Sequence, residues 1–237
     1  MSLYRDSAVV LRTYKLGESD RIVVLFTRGR GKVRSVAKGV RKTKSKFGSR
    51  LEPTSHVALQ LYEGRELDIV TQAELVEAFP TIRGDLNRLG RAASILEVMD
   101  QVVQEGEPNT ELFEMLLGGL RTIEQRDTPL VTPAFFFKVL GAEGVGLMVD
   151  ACIECGNEEV VALDLDEGGV TCSQHRRGID MSTEAAALLG QVLGGHLSWA
   201  LEQPPGPATY ELDHLAHTAM ERHIDRRLKA LKLLEGR

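Results

Sequence analysis

Four residues past the middle of the chain have types and spacing suited to holding a metal ion. They read Cys152-x2-Cys155-x16-Cys172-x2-His175. Two ligand pairs of x2 spacing, separated by roughly 15–20 residues, are the pattern of a structural zinc site. Each pair sits on a tight turn, where two side chains converge, and Gly156 fits the turn that follows the first pair. Val160–Leu165 and Gly168-Gly169-Val170 predict a short hairpin that brings the turns together. Four protein donors close a tetrahedron, so the expected role of one Zn2+ here is structural. The competing readings are free thiols or a redox CxxC. The redox motif would follow a strand in a βαβ unit and needs no second matched pair. The other histidines, His56, His196, His214, His217 and His223, stand singly or on helix faces, and no third ligand accompanies the i, i+3 pair His214/His217.

The second chemical feature is charge. From Arg28 to Arg50 the chain reads RGRGKVRSVAKGVRKTKSKFGSR, with ten Lys or Arg among 23 residues and no Asp or Glu. The whole chain is nevertheless acidic, at −5, so the other residues carry 19 basic against 34 acidic side chains. A run of one sign in an acidic chain is the footprint of a polyanion partner. Arg30, Lys32, Arg34 and Lys38 share one parity, and Val33, Ser35 and Ala37 the other. On a strand this predicts cations outside and small or apolar residues inside. Arg41, Lys42, Lys44, Lys46 and Arg50 follow in a loop that reads as too polar to pack and is the best candidate for disorder. Strand and loop together suit a groove that tracks a phosphate backbone. The bland alternative is a solvated or membrane-surface face. Phe47 sits within the loop and Tyr14 lies on a neighbouring strand; either is able to stack on a base, and ordinary packing is the expectation for Tyr14.

These residues need a scaffold. Five short runs rich in β-branched and aliphatic residues fill the first 73 positions: Ser7–Lys15, Arg21–Thr27, Lys32–Lys38, His56–Tyr62 and Glu66–Thr71. Five strands in so short a span predict a small closed barrel of the OB type, and an SH3-like barrel gives a similar string. Residues 74–148 read as helices. Leu86, Leu89, Ala93, Leu96, Met99 and Val103 form one stripe, and Leu112 through Ile123 a second one after an Asn109 cap. A third helix starts near Thr132-Pro133. Beyond the cysteine segment, Ser182 caps a helix through about Leu201, and a last helix runs from Tyr210 to Leu234. The expected class is α+β multidomain. Residues 1–75 form an OB-fold nucleic-acid-binding domain, and 76–237 a helical domain with a zinc-finger insertion at about 150–178.

Composition excludes several classes. A 43% apolar content supports a real core. Arg5 and Asp6 stand where a secretory h-region would begin, so export is not expected. Three clustered cysteines do not suit a disulfide framework and point to the cytosol. The longest uncharged run, Ala185–Leu201, is short for a span and reads as a buried helix, so no membrane partner is expected. No GxxxxGK[ST] and no HxE with PCxxC is present, so no enzyme is expected.

The ordered combination resembles the RecO family of bacterial recombination mediators over essentially the whole chain. The similar features are AVVLRTYKLGESDRIVVLFTRGRGKVRSVAKGVRK, with its Gly-Glu-x-Asp turn at 17–20, then CIECG with CSQH, and the closing HIDRRLKALKLLEGR. The resemblance implies a cytoplasmic, nucleoid-associated, non-enzymatic DNA repair protein. It implies binding of single- and double-stranded DNA and annealing of complementary strands. It implies action with RecR and the C-terminal tail of single-strand-binding protein to load RecA. Carried over by position, Arg30, Lys32, Arg34, Lys38, Arg41, Lys42, Lys44 and Lys46 are the DNA-contacting set, and Cys152, Cys155, Cys172 and His175 the zinc set. Where zinc-bearing members usually have a fourth cysteine, this chain has His175. The rival readings are a zinc-ribbon/OB module that binds RNA in transcription or translation, and a divalent-dependent nuclease or ligase-associated factor.

Overall fold

The computed structural model describes residues 2–230. Packing divides the chain into two compact units, one running from the N-terminus to Gln125 and joined by Ala230, the other spanning Arg126–Lys229. The expected strand-to-helix boundary at 75/76 lies near the end of β5, and three helices pack with the barrel in the first unit.

The strands of the first unit are β1 (Leu3–Leu16), β2 (Asp20–Thr27), β3 (Gly31–Ala37), β4 (His56–Tyr62) and β5 (Asp68–Glu77). They close in the order β1-β2-β3-β5-β4 and back to β1. All joins are antiparallel except β3–β5. This is the expected five-stranded OB-type barrel. β1 is longer than its sequence run because it serves two neighbours: Leu3–Val9 pairs with β4, and Ala8–Leu16 with β2. Closure removes the free edges that a five-stranded sheet would otherwise expose.

Ala8, Val10, Val23, Leu25, Val57, Leu59, Leu61 and Val70 fill the barrel. Phe47 and Leu51, each 1% exposed, plug it from the loop after β3. The loop expected to be too polar to pack is therefore pinned by its two apolar residues, and Phe47 is unavailable to a ligand. Phe47→Ala leaves a cavity in a closed barrel and is expected to cost about 3–5 kcal/mol, read as a lowered denaturant midpoint at unchanged slope.

Three helices complete the unit: α1 (Pro80–Gly84), α2 (Leu86–Val102) and α3 (Thr110–Gln125). Asp85 caps α2 by accepting from the Arg88 amide, and Asn109 caps α3 through the Leu112 amide at 3.0 Å. The α2 stripe differs from its expectation. Leu86 and Leu89 are exposed, and the buried set is Ala92, Ile95, Leu96, Val98 and Met99. Only the second half of α2 is enclosed, so its first turn answers to solvent. Phe113 of α3 lies edge-on to Phe26 at 5.5 Å, sealing the outer face of β2. Gly31 (φ +67°) lets the β2–β3 turn meet the α2–α3 connection, where a Cβ would sit 2.2 Å from the Glu107 carbonyl.

A polar relay ties strands to α3. His56 Nδ1 lies 2.9 Å from Glu77 Oε1, its Nε2 lies 2.8 Å from Ser7 Oγ, and Arg121 grips Glu77 with two hydrogen bonds. The Arg121 pair, aided by His56 against the opposing effect of burial, holds Glu77 down at about 2. An ionised Glu77 accepts from His56 Nδ1–H, leaving Nε2 to accept from Ser7. A carboxylate depressed in the folded state adds stability that is fully present above its unfolded value near 4.5 and is lost as pH falls toward 2. Arg121→Ala is expected to lower stability at neutral pH by about 1 kcal/mol, since the pair is partly solvated. It should also flatten the acid limb of a denaturation-versus-pH curve between those two values.

The second unit contains α4 (Val131–Ala142), β6 (Val160–Asp164), β7 (Gly169–Cys172), β8 (Ile179–Asp180), α5 (Thr183–Leu193), α6 (Leu197–Ala200) and α7 (Pro207–His223). α4 is its core, with Phe135, Phe136, Phe137, Val139 and Leu140 buried on nearly all sides. It packs on α7 and α5. The expected hairpin is β6–β7, and β8 adds a third strand in the order β7-β6-β8. Ser182 caps α5 by accepting from the Ala185 amide at 3.2 Å. The helix expected through Leu201 stops at Leu193, because Gly194-Gly195 intervenes and Gly195 takes φ +93°. The last helix stops at His223. Asp225 turns left-handed (φ +48°), and the Arg226 amide closes on the Glu221 carbonyl while the Asp225 amide bonds that of Arg222. This is a Schellman end with Asp in the usual glycine place. Leu231 and Leu234, assigned to that helix from sequence, lie outside the described residues.

Candidate nucleic-acid interface and candidate metal centre

In the first unit, alternation along β3 is as its parity predicts: Ser35 and Ala37 are fully buried, and Arg34 and Lys38 are exposed. The basic run then separates into two groups. Its first part is met by helical and loop acids. Arg28 pairs with Glu114 at 3.0 Å. Arg30 lies over the Tyr4 ring at 3.8 Å and 3.7 Å from Glu63. Lys32 is only 18% exposed, donates to the Asp100 carbonyl at 2.5 Å, and lies 3.9 Å from the Asp100 carboxylate. Each of these three cations has an acidic partner, and Lys32 is also largely covered.

The second part stays in solvent. Arg34, Lys38, Arg41, Lys42, Lys44 and Lys46 are all exposed. They are held on an ordered frame. The Gly39 amide donates to Asp20 Oδ1 at 2.7 Å, the Arg41 amide to the Ser19 carbonyl, and Arg41 Nη1 to the Gly17 carbonyl at 3.2 Å. The Gly-Glu-x-Asp turn is thus the anchor of the basic loop. Hydrogen bonds from Gly39 and Ser19 keep the Asp20 carboxyl below its usual value, with Lys38 and Lys42 adding to the effect. Lys46 donates to the Thr71 carbonyl at 2.9 Å, which draws the loop toward β5.

Arg12, which belongs to no sequence-derived site, and Tyr14 stand on the same outer face. A bulge between Val10 and Arg12 shifts the β1 register, and Val9, Val10 and Leu11 are all buried in succession. After it, Arg12 faces out opposite Val24, and Tyr14 opposite Ile22. No local signal marks a bulge inside an apolar run, so simple alternation misleads there. Tyr14 is 44% exposed, the reverse of its expected packing role.

In the second unit the four predicted ligands converge. Cys155 and Cys172 sulfurs lie 3.7 Å apart, and His175 Nδ1 is 3.5 Å from Cys172 and 3.8 Å from Cys152. All four donor atoms fall within 4.8 Å of one another, so the group can hold one metal ion. A tetrahedral zinc with Zn–S of ~2.3 Å and Zn–N of ~2.0 Å sets S···S near ~3.8 Å and S···N near ~3.6 Å. These three spacings fit that geometry, and all three cysteines are free. Local structure explains the convergence. The Gly156 amide bonds the Cys152 carbonyl at 2.8 Å in a tight turn with Gly156 at φ +74°. β7 ends at Cys172, and a single 3-10 turn over Ser173–His175 swings the imidazole back. Burial alone would raise the Cys152 thiol, but backbone hydrogen bonds around Cys172, Glu154 and Cys155 outweigh it and bring it to about 6. Metal ligation by cysteine requires the thiolate, so the frame favours the ligating form. Arg177 braces the site, reaching Glu154 at 2.6 Å and Asp164 at 3.1 Å. The first pair precedes a β-hairpin, which does not suit a thioredoxin-like redox motif.

Fold and sites together define a protein that joins a cation-faced OB-type barrel to a helical unit carrying four donors able to hold a metal ion. Comparison with known proteins narrows this. Residues 1–79 match the family model Recombination protein O N terminal, and residues 83–232 match Recombination protein O C terminal. The chain is 42% identical to the DNA repair protein RecO of Frankia casuarinae over 242 residues, covering 99% of each chain. It is 40% identical to the DNA repair protein RecO of a Nocardioides species over 244 residues, covering 98% of this chain and 99% of the relative. The chain belongs to the RecO family. Among the described residues, no helix is long and apolar enough to cross a membrane.

Proposed function

We propose that this protein serves DNA repair by homologous recombination as a non-enzymatic binder of single- and double-stranded DNA. The observation that carries this reading is the single-signed exposed group Arg34, Lys38, Arg41, Lys42, Lys44 and Lys46, held on an ordered barrel edge in an otherwise acidic chain. Arg30 and Lys32, already engaged with Glu63 and Asp100, support the frame of the β2–β3 end and contribute less to DNA. The names of the relatives agree with a repair role.

Cations at a rigid edge attract phosphates and release their counterions, which gives affinity without sequence preference. Two complementary strands held at one cationic face repel each other less, and their bases remain free to pair. This supports strand annealing. Action with RecR and the tail of single-strand-binding protein to load RecA, in the cytoplasm at the nucleoid, completes the proposal. In this division of labour residues 1–75 bind nucleic acid, and 76–237 form the helical part with the zinc insertion at about 150–178.

Cys152, Cys155, Cys172 and His175 hold one zinc ion in this reading. Bound there, the metal would supply a cross-link between the two turns. Its four protein donors leave no position for a substrate, which favours a structural role.

The test is binding of the full chain to a fluorescent single-stranded oligonucleotide across a salt series. A log–log slope of about −0.7 per phosphate contact is expected. A flat response would refute phosphate binding, and divalent-dependent cleavage of the same labelled strand would refute the non-enzymatic assignment.

A further inference from the structure

The outer face of β1, β2 and β3 carries a row that phosphate contacts leave unexplained. Register sets Tyr14 opposite Ile22, and Ile22 opposite Val36. All three stand outside the barrel, Tyr14 exposed and the other two half-buried. The adjoining row is Arg12, Val24 and Arg34. The Arg12 guanidinium lies 4.9 Å from the Tyr14 ring centroid. Its Nε is 2.9 Å from Asp100 Oδ2, and that carboxylate is buried on α2. The tyrosine is therefore backed by a cation that a buried acid holds in place, and Tyr14 itself is 44% exposed. Strands lie about 4.8 Å apart, so the three-residue row spans roughly 10 Å, enough for one nucleobase. Arg34 and Lys38, both exposed, border it.

Resting on the reading of this face as phosphate-binding, we propose that Tyr14, backed by Arg12, is a stacking platform for one unpaired nucleobase. It makes the cationic face select single strands over duplex. In a duplex each base is covered on both sides by its neighbours and offers the ring nothing to stack on. A single strand offers a free π-face whatever its sequence, and base–aromatic stacking tolerates all four bases. Arg12 adds a cation–π contact from behind, Ile22 and Val36 extend the apolar floor, and Asp100 is a positioning residue acting through Arg12. The face then senses strand state and not sequence, as annealing requires: a base leaves the platform when it pairs.

The test compares the full-length chain with its Tyr14→Ala and Tyr14→Phe variants. The probes are a single-stranded oligonucleotide carrying one 2-aminopurine and a duplex of equal length. Tyr14→Ala is expected to lose about tenfold in single-strand affinity, together with the 2-aminopurine quenching. Its duplex affinity and its salt slope should match those of the wild type, because phosphate contacts are untouched. Tyr14→Phe should restore single-strand affinity and quenching. Wild-type single-strand affinity in Tyr14→Ala, or equal losses on both probes, would overturn the platform. If that occurred while the wild type kept a steep salt slope, the phosphate reading would stand alone. No binding by the wild type would remove both.

Discussion

Changing Arg34, Lys38, Arg41 and Lys42 to alanine is expected to cut single-strand affinity by about two to three orders of magnitude at about 0.1 M salt. The estimate follows from counterion release. Four lost phosphate contacts shift the log–log salt slope by about 2.8 on single strands, and one decade of salt separates those conditions from the molar reference. All four side chains are exposed, so the substitutions should leave the fold intact. Changing Arg28, Arg30 and Lys32 instead is expected to move the slope far less. Those cations face Glu114, Glu63 and Asp100, and Lys32→Ala should act chiefly on stability by stripping a buried acid of a partner. Titrations of the two variants side by side separate the exposed loop charge from charge already paired with acids. Equal slopes in the first variant and the wild type would remove the basic loop from DNA binding.

Loss of metal should have the second large effect. Purified protein is expected to carry one zinc per chain by elemental analysis, and Cys172→Ala to carry none. Structural zinc sites of small domains bind with roughly 10–16 kcal/mol of apparent free energy, and part of that is folding energy. If about a third is felt as stability, Cys172→Ala or prolonged chelation lowers Tm by about 10–15 °C for a chain of this size. Cys172 is fully buried at the end of β7, so hydrophobic loss contributes too. His175→Cys separates the effects, because it leaves the β7 end untouched and keeps four donors; it should retain zinc and Tm. The exposed cations belong to the other unit, so the salt slope on DNA should survive metal loss. Chelation that leaves Tm unchanged would show that the four side chains do not share a structural ion.

The sequence by itself determined the five strands, the closed barrel, the four side chains able to hold a metal ion and the position of the charge. Each is a local pattern: alternation, x2 ligand pairs, a run of one sign. Periodicity also placed α3 and the start of α5, with Asn109 and Ser182 at the caps. Only the tertiary structure decided which cations are open. Lys32 and Lys38 look alike in sequence, but α2 covers the first and brings Asp100 to it, whereas the end of β3 leaves the second in water. The same holds for the aromatics. Phe47 sits in the most basic loop and Tyr14 in an ordinary strand, yet barrel closure draws Phe47 inside and the bulge before Arg12 turns Tyr14 out. The ends of α5 and α7 were misread for a related reason. A glycine pair and a left-handed Asp225 stop helices whose apolar spacing runs on, so periodicity alone overshoots both ends. Pattern along the chain specifies elements; exposure, pairing and helix ends depend on which distant residue arrives, and that is settled only when the core closes.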